Sequence, residues 1–232
     1  MKLNRNKVFR VRMDKLFSWS EIGSVPDKPG IYAWYYLPEI TDFDLEWTIK
    51  RLCELRDRGD RKSATEETEN FFEKAIFRYF QEAPFLAELK GPLKPHYEGV
   101  LDHKPSISPP LVDRIIEEPE RLYTIKEVLE ASAPGFSRPI YIGMSGRLRT
   151  RVGHHKKLIE HYRENSPPAV VDSTDPPSIK HRDQNFAQMI SVRNIVPSRL
   201  SVVVRIIGST SHRYVDLENI LNRIHYPLLG RN

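Results

Sequence analysis

RPIYIGMSGRLRTRVGHH, residues Arg138 to His155, changes character halfway along. Ile140 to Gly143 has the composition of a strand. From about Gly146 the chain becomes cationic, with Arg147, Arg149 and Arg151 at alternating positions and then His154 and His155. If a helix runs from there to about Arg163, Leu148, Val152 and Ile159 fall within about 40° of one another at ~100° per residue. Such a stripe must pack on something, and Arg151 and His155 are expected on its flank, at the edge of the contact.

Outward from this stretch, the same alternation of strand and helix recurs on both sides. Pro26-Asp27-Lys28-Pro29-Gly30 is a turn that launches the aromatic strand Ile31 to Leu37. Val202 to Ile207 is nearly continuous and β-branched, which predicts a strand buried on both faces. A last helix is expected at about His212 to Ile224, with Leu217, Leu221 and Ile224 inward, Glu218 on the flank and Asn222 one turn on. The prolines at 167, 168, 176 and 177 predict a loop from 164 to 180, and the whole 164 to 197 stretch is read as a loop. At the N-terminus Lys2, Arg5, Lys7, Arg10, Arg12 and Lys15 form a basic arm, in which Val8 to Arg12 alternates like an edge strand.

Between the two stretches of strand and helix the period is helical. Leu45, Ile49, Leu52 and Leu55 share one face, and Ser63-Ala64-Thr65-Glu66 has the form of a capping box opening a second helix whose Phe72, Ala75, Ile76 and Tyr79 share a face. Prolines at 92, 95, 105, 109 and 110 predict irregular backbone over 91 to 110, before a short helix at Glu120 to Ala131. The expected class is α+β: a small central mixed or antiparallel sheet flanked by helices, with a large helical insertion between its first two core strands. Three segments follow: a basic arm and first core strand (1–37), an acidic helical insertion (38–138) and the remainder of the core (139–232).

Charge divides along the same lines. Residues 38 to 131 hold 21 Asp/Glu against 14 Lys/Arg, a net of −7, and the rest of the chain has 22 Lys/Arg against 10 Asp/Glu, a net of +12. The basic part suits a polyanion, and the acidic block is expected to lie away from its path. No apolar run approaches the roughly 20 residues of a membrane span. Cys53 is the single cysteine, so an intrachain disulfide and a cysteine zinc cluster are excluded, and a cytoplasmic setting is expected.

Gly30-Ile31-Tyr32 and Tyr141-Ile142-Gly143 together resemble the two halves of the GIY-YIG nuclease signature. Tyr141, Leu148, Arg151 and His155 follow the order and spacing of that family after its second half, and Glu218 with Pro227 matches its metal-binding glutamate and downstream proline. The resemblance covers 30 to 36 and 139 to 230. It departs in two places: Tyr32 and Tyr141 lie 109 positions apart where the family uses a short connection, and the family's asparagine would fall near Gly230, with Asn232 two positions late.

The resemblance implies a metal-dependent endonuclease, closest in layout to the type II restriction enzymes of that family or a phage-defence relative. Glu218 would hold Mg²⁺ or Mn²⁺, and Arg151 would grip a phosphate oxygen in its planar fork. Tyr141, or Tyr32 beside it, would act as general base, and His155 would orient Tyr32 or share the proton transfer. Arg147, Arg149, Lys156, Arg10 and Arg12 would meet nucleic acid. DNA is the expected partner, with RNA left open, bound by a homodimer or by a subunit of a larger complex, and no membrane is involved.

Two other readings compete. Pro26-Asp27 with Glu88-Leu89-Lys90 mimics the acidic-acidic-lysine pattern of another restriction fold, but Asp27 precedes a Lys-Pro-Gly turn and Glu88 to Lys90 is read as the end of a helix. A non-catalytic nucleic-acid-binding module would explain the basic charge but has no use for Glu218 beside phosphate.

Overall fold

The computed structural model describes residues 15–81, 85–91, 94–101, 105–165, 179–207 and 214–230. The chain divides into two compact units, 1–36 with 138–232 and 37–137. The Val8–Arg12 strand, Arg10, Arg12 and Asn232 lie outside the described residues.

The first unit is built on a four-stranded antiparallel sheet of order β1-β6-β2-β5, with β1 Lys15–Ser18, β2 Gly30–Tyr36, β5 Tyr141–Ser145 and β6 Leu200–Ile206. The class is α+β, and the acidic block intervenes between the adjacent strands β2 and β5. Those strands pair as a hairpin would: Trp34 faces Tyr141, and the Ile140 amide donates to the Trp34 carbonyl at 2.8 Å. The ends of the long connection therefore start where a tight turn would fit, so its length adds little loop entropy to the pairing.

Alternation along β2 sets the two faces of the sheet. Gly30, Tyr32, Trp34 and Tyr36 are buried, whereas Ile31, Ala33 and Tyr35 are half-buried. Helix α5, Leu148–Glu164, lays Leu148, Val152, His155 and Ile159 on the buried face, and α6, Ile179–Val192, packs against α5 with Phe186, Ala187 and Ile190 inward. The other face meets Leu217 and Leu221 of α7, Tyr214–His225, across an open groove of about 420 Å³.

Several expectations for this unit need correcting, the first being Ile224, which is exposed on the last turn of α7 where the helical period put it inward beside Leu217 and Leu221. Strand β6 alternates, with Leu200, Val202 and Val204 buried but Val203 half-buried and Arg205 exposed, because α7 covers its second face only in part. The 164 to 197 stretch is not all loop: α6 occupies 179–192, the prolines stopping at 177 and the apolar spacing of Phe186 and Ile190 taking over.

The second unit has its own apolar core. Leu45, Leu52, Leu55, Ala64, Phe72, Val112, Ile115, Ile116 and Leu122 come together from α1 Asp42–Asp57, α2 Arg61–Ala75, α3 Pro109–Glu117 and α4 Arg121–Ser132. Thr41 caps α1, its Oγ1 accepting from the Asp44 amide at 3.0 Å. Helix α2 opens earlier than the Ser63 capping box predicts, because Asp60 caps it by accepting from the Ser63 amide at 3.1 Å.

The 91–110 stretch is not uniformly irregular either. β3 Phe85–Gly91 and β4 Lys94–Leu101 form an antiparallel hairpin, so Glu88-Leu89-Lys90 is strand and not a helix end. Pro109 and Pro110 begin α3, whose first turn has no use for their missing N–H groups.

Candidate active site

The site grows from the register of β2 on β5. Tyr32 stands opposite Gly143 and Trp34 opposite Tyr141, so all four occupy the buried face. A β-carbon at Gly143 would lie 2.4 Å from Tyr32 Oη and 3.0 Å from a Tyr141 ring carbon. Position 143 is therefore glycine for steric reasons: the Tyr32 phenol lies across it, which brings the two tyrosine rings near-parallel with centroids 6.2 Å apart. At Gly30 a β-carbon would meet the Arg205 carbonyl oxygen at 2.3 Å and Leu148 Cδ1 at 2.7 Å, so that glycine lets α5 start close against the sheet.

Helix α5 then delivers its polar groups to the phenol. Arg151 Nε donates to Tyr32 Oη at 3.3 Å, and Tyr32 Oη lies 3.0 Å from His155 Nε2. The imidazole is fully buried, not on the flank of the stripe as the periodicity suggests, because the aromatic rings of Trp34, Tyr141 and Phe186 pack round it at centroid distances of 5.2 to 6.3 Å. Burial, and secondarily the charges of Arg151 and His154, holds its pKa well below the usual histidine value of 6.5. His155 is thus neutral at pH 7, and in the tautomer that carries its proton on Nδ1, Nε2 is the acceptor for the Tyr32 hydroxyl.

Glu218 comes from the other side of the edge strand. Helix α7 is seated by Leu217 and Leu221, and its end is tied to the approach to β5: Arg138 Nε donates to the Tyr226 carbonyl, and the Leu229 amide donates to the Ile140 carbonyl at 2.7 Å. Glu218, Asn222, Asn185, Leu229 and Gly230 join Tyr141 and Ile142 round a small pocket of about 30 Å³. Tyr141 therefore belongs to both the aromatic cluster and the Glu218 pocket.

That pocket fits a hard divalent ion better than an organic ligand. Its volume holds about one water-sized group, its side-chain donors are oxygen or amide, and the buried Asn222 Oδ1 has no hydrogen-bond partner among the described residues. Among the described residues Glu218 is the one carboxylate lining the pocket, and no group of three His, Cys, Asp or Glu gathers, here or elsewhere, so an ion held here would take most of its shell from water.

The basic residues divide into two sets. Arg151 points at Tyr32, but Arg149 and Lys156 lie about 160° and 140° round the helix from it at ~100° per residue. Arg149 Nε donates to the Val25 carbonyl at 2.7 Å, and Lys156 donates to the Trp19 carbonyl at 3.2 Å while its ammonium lies over the Trp19 ring. Both therefore anchor the 19–25 segment, on the flank away from the phenol. Arg147 forms an ion pair with Asp27 at 2.9 Å, which lowers the Asp27 pKa, and Thr150 also donates to that carboxylate. Asp27 thus braces the start of α5.

Two contributors, Phe186 and Asn185, do not stand out in the sequence, and Asn222, placed one turn beyond Glu218, brings its amide oxygen to the pocket. Phe186, Ala187 and Ile190 at helical spacing were the legible signal for the first, since they predict a buried helix face. No protein-family model matches this chain, and no curated protein or solved structure matches it.

Proposed function

We propose that the protein is a metal-dependent endonuclease of GIY-YIG type that hydrolyses phosphodiester bonds in DNA. The observation that carries this reading is the position of the Tyr32 phenol, between Arg151 Nε and His155 Nε2 and beside Tyr141. A structural cluster needs the rings alone. It gains little from a guanidinium and a neutral imidazole converging on one hydroxyl.

In this reading the Tyr32 phenol takes the proton of the attacking water as it hands its own to His155 Nε2, so that one proton passes from water to the imidazole. Tyr141, at the join of the cluster and the Glu218 pocket, orients that water, and Arg151, set against Tyr32 Oη, offsets the negative charge that develops on the phosphate. Glu218, with the neighbouring amides, would hold Mg²⁺ or Mn²⁺, which when bound polarises the phosphate and helps the leaving oxygen. One such site attacks one strand, so cutting a duplex calls for two chains on the DNA, as in restriction enzymes.

The test is Glu218→Gln, which keeps size and helix propensity but removes the charge that would hold the ion. With Mg²⁺ or Mn²⁺ and plasmid DNA, the wild-type chain is expected to cleave, and the variant to bind DNA as well while cutting at least about 100-fold more slowly. Cleavage at the wild-type rate would overturn the assignment. DNA binding by the wild-type chain with no cleavage under either metal would favour the binding-module reading.

A further inference from the structure

We infer that Asn222 is a second protein group for the divalent ion at Glu218, presenting its amide oxygen to the ion or to one of the ion's waters; this rests on the nuclease reading above. Three observations support it. Asn222 Nδ2 donates to the Glu218 carbonyl at 2.9 Å, and that bond fixes which end of the amide is spent on the helix. The other end, Oδ1, is buried without a hydrogen-bond partner among the described residues, in the pocket that Glu218 also lines. A buried acceptor left unsatisfied is costly, and a cation or its water at that place would relieve it.

The third observation is Gly230. A β-carbon there would stand 2.5 Å from Pro227 Cγ and 3.4 Å from Asn222 Oδ1. No side chain fits at 230 without moving buried Pro227, so this position cannot supply a polar group to the pocket. Asn222 reaches the same space from one turn beyond Glu218. Residues four apart on a helix stand roughly 6 Å apart at their β-carbons, a span that a hydrated ion bridges. The pocket, about 30 Å³, admits that ion or its water and little else.

The experiment is a Mn²⁺ titration of the full chain without DNA, following the electron paramagnetic resonance of free Mn²⁺, for wild type, Asn222→Ala, Asn222→Asp and Glu218→Gln. Circular dichroism melts check that each variant is folded. Asn222→Ala is expected to weaken Mn²⁺ binding roughly 10-fold. Asn222→Asp should match or tighten wild-type binding, because it keeps an oxygen at that place and adds charge. If the amide matters only through its bond to the helix, Asn222→Asp loses the donor and falls with Asn222→Ala, and the inference is overturned. Wild-type affinity in folded Asn222→Ala also overturns it. Loss of binding in Glu218→Gln alone defeats the inference but leaves the nuclease reading standing, and unchanged binding in Glu218→Gln defeats both.

Discussion

In the helical unit Thr68 is fully buried, and its hydroxyl donates to the Ala64 carbonyl one turn back at 2.8 Å. In the sheet unit His155 is equally buried, but its partner at 3.0 Å is Tyr32, 123 positions away. The first arrangement is available to any helix. The second exists only once β2, β5 and α5 have assembled, so it makes the aromatic cluster sensitive to the register of the sheet and the depth of α5. Polar groups satisfied locally serve stability, whereas those satisfied across the fold are where a protein can place chemistry.

The contrast is open to attack by mutation. Leu52→Ala empties a fully buried position in the helical core and is expected to destabilise that unit by about 2–5 kcal/mol. Thermal melts followed by the tryptophans of each unit would check this, and an equal loss at Trp34 would show that the units do not unfold as separate cores. Gly143→Ala places a β-carbon against the Tyr32 phenol and should cost about 1–3 kcal/mol while separating Tyr32 from His155. A variant as stable as wild type, with its His155 resonances unshifted, would remove the steric account of that glycine.

Titration gives a subtler test. The folded pKa of His155 is depressed below 6.5, so the unfolded chain binds the extra proton first as pH falls. The stability tied to its neutral state is whole above about 6.5 and drains as pH drops toward the folded value, at up to about 1.4 kcal/mol per unit. His155→Gln should flatten this slope between pH 6.5 and 5, and identical slopes in both chains would refute it. The smallest effect is expected from Asp27→Asn, which frees Arg147 for phosphate. It should scarcely move the melting temperature but tighten DNA binding at low salt and steepen its salt dependence by roughly one charge; unchanged salt dependence would leave Arg147 without a role in binding.

The pattern of residues by itself determined a good deal. Strand and helix periods, the turn before Gly30 and the change of charge at Pro38 were enough to expect an α+β sheet with a helical block between two core strands, because these signals arise from neighbours in the chain. Tyr32, Tyr141, Arg151 and His155 were also legible, as two tripeptides and one helical spacing. The tertiary structure decided what those spacings leave open. Helix α6 was hidden behind prolines that end before it starts, and the β3–β4 hairpin behind prolines read as loop. The burial of His155 depends on Phe186 arriving from that unforeseen helix, and the division of Arg149 and Lys156 from Arg151 depends on which side of α5 meets the 19–25 segment. Glu218 and Asn222 lie beside Tyr141 only because the chain after α7 bonds back to the approach to β5. Each is a contact between distant parts of the chain, and one-dimensional periodicity fixes which face a side chain takes but not what comes to meet it.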